Sequence, residues 1–306
     1  MAIDPHFEKK QVGTINGNVN TRYLLLISLS AAMGGFLFGF DFSVISGGIQ
    51  LIRNHFGVDE VGEGFLVSSL YMGCIIGALI AAKLTDRYGR KPVLALSAIL
   101  FAFSCFGAAL SQTMSFFVVN RLLGGLGVGI ASIISPLYIA EISPERIRGK
   151  MVSVNQLAIV IGILITYFSN YLLLKEFGDE SWRWMIGVGT IPSLLFLLAV
   201  LSIPESPRWL LMQNKAAKAL QALKKIGDND YALSQMNNIT QSIQSVKKSS
   251  FKELFQPRMK KVLVIGIGLA VFQQWCGINI IFTYAPKIFA AVGYNDSDGL
   301  WQTGIN

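Results

Sequence analysis

Seven stretches of this chain each run for about 20 residues or more with almost no charge, and no other feature limits the fold as strongly. They lie at roughly Tyr23–Ile52, Gly64–Lys83, Pro92–Ser111, Met114–Ile139, Met151–Leu174, Trp182–Ile203 and Val262–Val292. A helix of about 20 apolar residues crosses the hydrocarbon core of a bilayer. Without water, the backbone there must satisfy its own hydrogen bonds, which selects helices. The windows therefore predict an all-α integral membrane protein with seven spans. Composition agrees: 14% of the 306 residues are charged, against about 25% in ordinary soluble domains, and the mean hydropathy is +0.51. Gly and Pro recur inside the windows, as membrane helices tolerate.

The connecting segments set an orientation. Segments 1–22, 83–91, 140–150 and 204–261 carry 21 Lys and Arg, while 53–63, 112–113 and 175–183 carry three, Arg53, Lys175 and Arg183, with six acids. That split places the N-terminus and the segment 204–261 in the cytoplasm. It also accounts for the net charge of +8 without nucleic acid as a partner. Cys74, Cys105 and Cys276 fall inside apolar spans and read as buried, reduced thiols with no disulfide framework. The polar first 21 residues lack a cleavable signal pattern, so the first span reads as a retained helix.

Four regions follow: a cytoplasmic N-terminus at 1–22, a six-helix bundle at 23–203, a cytoplasmic helical segment at 204–261, and a seventh helix with the start of a loop at 262–306. In the third region Leu211, Ala216, Ala219, Leu220 and Leu223 recur at near-helical spacing opposite Lys215, Lys218 and Lys225, and "SSFKELF" follows later. Short amphipathic helices at the membrane surface are expected, although a solvated basic linker also fits. Nothing closes the seventh helix into a second bundle, so the chain reads as part of a larger design. The charged returns "DRYGRK", "EISPERIRGK" and "PESPRW" after alternate spans fit a bundle of two inverted three-helix units.

Within the spans, two charges stand out. Asp41 lies about 10 residues from the outer end of the first helix and Arg121 about 8 residues inside the fourth, or about 15 and 12 Å at 1.5 Å per residue. Opposite charges at like depth can offset each other's insertion cost. They form either a structural ion pair or a proton site. The seventh span carries Gln273, Gln274 and Asn279 near the midplane, with Gly277 and Pro286 to break the helix. Amides offer donor and acceptor together, as sugar hydroxyls require, or they can hold helix to helix. Gly124, Gly125, Gly127 and Gly129 crowd one helix without a phosphate-loop context and read as a close-packing surface. Asp86, Arg87, Arg90, Glu141, Arg148, Glu205 and Arg208 recur at three helix ends. They are either topology anchors or an interlocked gate. With His6 and His55 outside the spans and no metal-spaced or nucleophilic cluster, an enzyme is not expected.

"DRYGRK" (Asp86 to Lys91), "RLLGGLGVGIASIISPLYIAEISPERIRGK" (Arg121 to Lys150), "PESPRWL" (Pro204 to Leu210) and "QQWCGIN" (Gln273 to Asn279), in this order and at these span ends, closely resemble the sugar porter family of the major facilitator superfamily. This family includes the bacterial xylose–proton symporters and the GLUT-type facilitators. The resemblance implies a twelve-helix fold, of which this chain holds the N-terminal six-helix bundle, the cytoplasmic helices and the seventh helix. The missing C-terminal helices are then its partner, alongside a small-molecule sugar and the lipid bilayer, in a transporter that is monomeric when complete. It further implies that Asp41 and Arg121 couple protons, since the facilitators lack the acid, and that Gln156, Gln273, Gln274 and Asn279 contact sugar beside Phe38 and Ile159. The cytoplasmic charges would close the gate. No cofactor is implied beyond the proton as coupling ion. Ile163, Thr283 and Phe42 depart from common family residues and leave the sugar open. The expected function is proton-coupled symport of a pentose or hexose by alternating access. The alternatives are a facilitative uniporter and a transporter-like sugar sensor. A cell membrane is expected, and the lack of an N-x-S/T acceptor between the first two spans leans towards a bacterial inner membrane.

Overall fold

A computed structural model describes residues 18–245 and 257–277, together with Ile281, Tyr284 and Ile288. Helices α1 (Thr21–Phe56), α2 (Glu60–Tyr88), α3 (Arg90–Ala109), α4 (Met114–Ile142) and α5 (Arg148–Phe177) are followed, after a short 3-10 turn, by α6 (Ser181–Val188) and α7 (Thr190–Ser202). Five stretches are long and apolar enough to cross a membrane, the last being Arg148–Ser202 with 55 residues. At 1.5 Å per residue that stretch is far longer than one crossing of a roughly 30 Å core. It turns back at Gly178, giving two passes. The expected sixth span, Trp182–Ile203, is therefore not one continuous helix. Pro192 supplies no N–H to the carbonyl of Val188, and its ring crowds that carbonyl. The turn tightens instead, with the Gly189 N–H on the Ile186 carbonyl at 3.0 Å and the Ser193 hydroxyl on the Gly189 carbonyl at 2.5 Å.

The helix starts follow local chemistry. The Asn20 side chain caps α1 through the Tyr23 N–H at 3.0 Å, and Asp59 caps α2 through the Gly62 N–H at 2.8 Å. Glu60 and Glu63 add negative charge to the positive end of α2.

Packing rests on helix pairs. α1 lies against α5, and α4 lies against both α2 and α3. Lipid gives helices no hydrophobic reason to associate, so backbones must approach closely for dispersion to act. Glycines permit this. A Cβ on Gly39 would collide with the carbonyl of Ile159, and one on Gly162 with that of Phe36. A Cβ on Gly125 would meet the Leu70 carbonyl and sit 2.9 Å from the Gly73 Cα. Gly125→Leu should lower the unfolding free energy by about 1–3 kcal/mol through forced separation of α2 and α4. Unfolding in mixed detergent measures this, and an unchanged midpoint would refute the close-contact account.

At the end that carries the basic returns, α8 (Pro207–Met212), α9 (Ala216–Ile226) and α10 (Asn229–Ser245) form a layer. The expected amphipathic faces exist, but they do not rest on a membrane surface. Leu223, Ile226, Tyr231 and Ala232 are buried in one cluster with Leu24, Ile27, Tyr138 and Ile139 of the bundle. The apolar stripe buries more fully against protein than it could at an interface. Ala219 is buried, Leu211 and Leu220 are half-buried, and Ala216 is exposed at the start of α9. "SSFKELF" lies outside the described residues.

The segment before α1 is stapled to this layer. The Asn20 N–H donates to the Ile226 carbonyl at 2.8 Å and the Asp228 N–H to the Asn18 carbonyl at 3.1 Å. The Asn18 N–H donates to Asp228 Oδ2 at 2.7 Å and the Tyr231 N–H to Oδ1 at 2.8 Å. These N–H groups hold the Asp228 carboxyl below its ordinary 3.8. A lowered folded pKa means stabilisation that is present above about pH 4 and is lost as pH falls through the folded value. Asp228→Ala should therefore raise amide exchange at Asn18 and Tyr231 at neutral pH, with the native chain approaching the variant in acid. Equal exchange at neutral pH would show that the carboxylate does not hold the staple.

Helix α11 (Pro257–Trp275) covers the described part of the seventh window. It stops before Gly277, whose φ of 75° departs from the helix, and the Ile281 N–H bonds the Gly277 carbonyl at 3.1 Å as a turn resumes. The expected break at Gly277 is thus present, while Pro286 lies outside the described residues. The three cysteines are free; Cys105 is buried and Cys74 half-buried, but Cys276, expected to be buried, is exposed at the end of α11.

Candidate functional site

Two charged sites are built into the bundle. The first joins α1 to α4. Asp41 Oδ1 and Arg121 Nη1 are 2.5 Å apart, and each side chain is 2% exposed. Glycines make this depth reachable, because Gly124 and Gly125 let α4 sit close to α3 and α2 while Gly39 seats α1 on α5. The pair is monodentate. Asp41 Oδ2 and Arg121 Nε and Nη2 are buried without a hydrogen-bond partner among the described residues. A buried pair is well offset only when the remaining lone pairs and protons are also satisfied, so this one holds together with unspent capacity on both sides.

The second site lies at the basic end. The Arg90 guanidinium grips Glu141 with a fork, Nε to Oε2 at 2.9 Å and Nη2 to Oε1 at 2.8 Å, the geometry that makes arginine specific for carboxylates. Arg90 Nη1 also donates to the Thr85 carbonyl at 3.2 Å and lies 3.8 Å from Asp86. Gly89, with φ 101°, lets α2 stop and α3 start in one residue. The free N–H groups of Arg90 and Lys91 then point at Glu205, at 3.0 and 3.2 Å. An acid at a helix N-terminus is favourable. Burial nevertheless pushes the Glu205 carboxyl above its ordinary 4.5, against the N–H bonds and the Arg90 charge that lower it.

Sequence reasoning missed four ties here. The Ser206 hydroxyl donates to Glu141 Oε2 at 2.6 Å, Trp209 Nε1 to the Asp86 carbonyl at 3.0 Å, Tyr138 to the Pro204 carbonyl at 2.7 Å, and Lys91 Nζ to the Leu201 carbonyl at 2.7 Å. The serine before proline in "PESPRW" is a helix-start signal and could have pointed to Ser206, which caps α8. Of the expected gate residues, Asp86, Arg90, Glu141 and Glu205 converge. Arg87 lies apart, exposed, with its guanidinium 5.2 Å over the Tyr88 ring. Arg148 reaches only the Ser143 carbonyl at 3.5 Å, and Arg208 makes no ion pair among the described residues.

Of the expected sugar contacts, Phe38 and Ile159 lie on α1 and α5, which meet where Gly39 faces the Ile159 carbonyl. Gln156 is exposed on α5, one turn from half-buried Ile159. Half-buried Phe38 stacks on Phe42 with ring centroids 6.4 Å apart. Gln273 and Gln274 are exposed on α11, and Asn279 lies outside the described residues.

Six apolar passes around a buried ion pair, with a charged cluster at one end, define a multi-pass helical membrane bundle. A family model described as "Sugar (and other) transporter" matches residues 27–306, and the chain belongs to that sugar transporter family. It is 40% identical over 288 residues to the arabinose-proton symporter of Bacillus subtilis (strain 168), covering 92% of this chain and 62% of that protein. It is 37% identical over 323 residues to the D-xylose-proton symporter of Escherichia coli (strain K12), covering 95% and 65%. Among solved structures it resembles the major facilitator superfamily proton:xylose symporter XylE bound to 6-bromo-6-deoxy-D-glucose. The TM-score is 0.85 at 37% identity, over 94% of this chain and 66% of that one. The fold is therefore that of the major facilitator superfamily. The chain spans less than two thirds of the length of these curated relatives, 62% and 65%.

Proposed function

We propose that this chain forms the N-terminal part of a proton-coupled monosaccharide symporter that works by alternating access in a cell membrane. The observation that carries this reading is the buried Asp41–Arg121 pair. Intramembrane acids are functional by default because their cost is otherwise selected against. Asp41 Oδ2, with no partner among the described residues, is the oxygen that can take a proton while Oδ1 stays on the guanidinium. Neutralising Asp41 removes the attraction that offsets the buried Arg121 charge, so α1 and α4 favour an arrangement in which Arg121 finds water or another acceptor. A proton thereby biases the two-state element that alternating access requires.

The substrate class follows from relatives named as symporters for arabinose, xylose and galactose with protons. Gln156 supplies hydrogen bonds from α5 beside Phe38 and Ile159, and Gln273, Gln274 and Asn279 supply them from the seventh helix. The basic end faces the cytoplasm by its excess of Lys and Arg, as in a bacterial inner membrane, and the Arg90–Glu141–Glu205 cluster holds that end closed. Regions 1–22, 23–203, 204–261 and 262–306 act as tail, first bundle, helical layer and first helix of a second bundle, whose other helices are the partner.

Uptake by the complete transporter, with a sugar panel at two external pH values, tests the reading. Native protein should accumulate one sugar more strongly at lower external pH, and Asp41→Asn should retain counterflow exchange while losing pH-dependent accumulation. Accumulation that survives in Asp41→Asn would refute the role of Asp41. Purely downhill, pH-independent uptake by the native protein would make it a facilitator.

A further inference from the structure

A further set of charges lies at the opposite end of the bundle from the Arg90–Glu141 fork, where α1, α3 and α6 meet. Arg183 of α6 is its centre. Nη1 donates to the Ala109 carbonyl at 2.9 Å and to the Ser111 carbonyl at 2.6 Å, and Nε pairs with Glu180 Oε2 at 2.8 Å. Nη2 lies 3.1 Å from Nε2 of His55, the last residue but one of α1. All of these contacts are made within the first bundle. We propose that His55 and Arg183 form an acid-sensitive clamp on this end of α1, closed while the imidazole is neutral and released when it takes a proton.

The chemistry of the two side chains sets that direction. A guanidinium has five N–H donors and no acceptor. Its contact with His55 is a hydrogen bond only when Nε2 carries a lone pair, which requires the neutral ring with its proton on Nδ1. A proton on Nε2 removes the acceptor and leaves two cations in contact. Arg183 is poorly placed to withdraw. The carbonyls that it holds lie at and just beyond the C-terminal end of α3, where a cation is favourable, and its Cζ sits 4.3 Å over the ring of buried Trp182. The His55 ring is positioned by aromatic neighbours, with centroids 5.0 Å from Phe56 and 5.2 Å from Trp182. His55 is nevertheless exposed, so protons from the medium reach it.

No other group at this end competes for the role. Arg53 and Glu63 pair with each other at 3.5 Å. Asp59 and Glu60 start α2, Lys175 and Glu176 lie near the end of α5, and Asp179 and Glu180 form the 3-10 turn before α6. Carboxylic acids ordinarily titrate near about pH 4, and lysine and arginine above about pH 10. An imidazole ordinarily changes charge between about pH 5 and 8, and His55 is the only histidine among the described residues. A contact made by the neutral ring alone weakens as pH falls through that range.

Along α1, Asp41 lies 14 residues from His55, or about 21 Å. A neutral His55 braces α1 against α3 and α6, and a protonated one frees the end of the helix. In the proposed orientation this end faces outside. Acid on that side then supplies the proton for Asp41 and also loosens the helix that carries it. That consequence rests on the transport reading, whereas the clamp itself does not.

The test uses the 306-residue chain in detergent, without sugar or a pH gradient, so its failure is distinct from failure of the transport reading. The chain has two histidines, His6 and His55, so a His6→Gln variant assigns the nitrogen-15 ring signals. At about pH 8 the His55 ring should carry its proton on Nδ1, and a proton on Nε2 there overturns the proposal. Hydrogen exchange in the peptide 49–57, corrected for the intrinsic rate, is then compared at about pH 8 and about pH 5. In the native chain acid should accelerate it about two- to tenfold, the range for loss of one hydrogen bond. His55→Gln keeps an oxygen that accepts from Arg183 at either pH and should show no such acceleration. His55→Ala should exchange fast at both. If His55→Ala does not fold, the native chain and His55→Gln decide between them. An equal pH response in those two, or no acceleration in the native chain, overturns the clamp.

Discussion

Arg121→Leu is expected to destabilise the bundle by about 3–5 kcal/mol, the range for removing one member of a buried ion pair. Leucine fills much of the arginine's volume, so the cavity contribution is small beside the electrostatic one. Asp41 would be left at 1% exposure with no cation in contact, in surroundings of lipid-like polarity. The reverse variant, Asp41→Asn, removes the countercharge of Arg121 but keeps an oxygen that accepts from its guanidinium, so it should cost less than Arg121→Leu. Replacing both partners removes both charges together, and the combined variant Asp41→Asn/Arg121→Leu should recover most of the loss. Neutral pairs of similar shape are often no worse than the ions they replace. A double-mutant cycle by chemical unfolding in detergent measures this coupling. If the double variant is as unstable as Arg121→Leu alone, the loss comes from packing, and the pair does not hold α1 to α4.

That pair was legible in the sequence because a membrane helix is a ruler. Each residue adds a fixed rise, so counting from opposite ends placed Asp41 and Arg121 at one depth before any contact was known. The glycines of α4 were legible for a related reason: in lipid, small residues have few uses other than close approach. Other features were hidden because pattern does not name its neighbour. The stripe containing Ala219 and Leu223 signals an amphipathic helix, but an apolar face reads alike whether lipid or protein will cover it. Only the packing shows Leu223 and Ile226 against Leu24 and Ile27 of the bundle. The Asn18–Asp228 staple is a backbone event between residues 210 apart, without a periodic signal. The break before α7 was readable from Pro192, whose missing N–H sequence reasoning passed over as ordinary for a membrane span. At the basic end, charge recurrence pointed to seven residues but could not separate the four that converge from Arg87, Arg148 and Arg208.

Arg90 carries the second large expected effect. Its side chain is 6% exposed and that of Glu141 8%. Arg90→Ala leaves the Glu141 carboxylate with the Ser206 hydroxyl as its remaining named donor and removes the fork that ties α3 to α4, which should destabilise that end of the bundle by about 3–5 kcal/mol. At 1.4 kcal/mol per factor of ten, hydrogen exchange in the peptide around Glu141 should accelerate roughly a hundredfold or more, unless its protection is already lower than that. Arg90→Lys should restore only part of it, because an ammonium cannot form the two-point fork. The pH dependence separates electrostatics from packing. The Glu205 carboxyl already sits above its ordinary 4.5 through burial, and the Arg90 charge opposes that rise. A raised folded pKa favours the folded state below the unfolded value, and this advantage disappears as pH rises through the folded value. Removing Arg90 lifts Glu205 further, so the charged form becomes costlier in the variant. The variant's deficit relative to native should therefore be largest at neutral pH and shrink as pH falls through the carboxylate range, with native and variant compared at each pH. A deficit that stays constant across that range would show that Arg90 acts at this end as a packing residue.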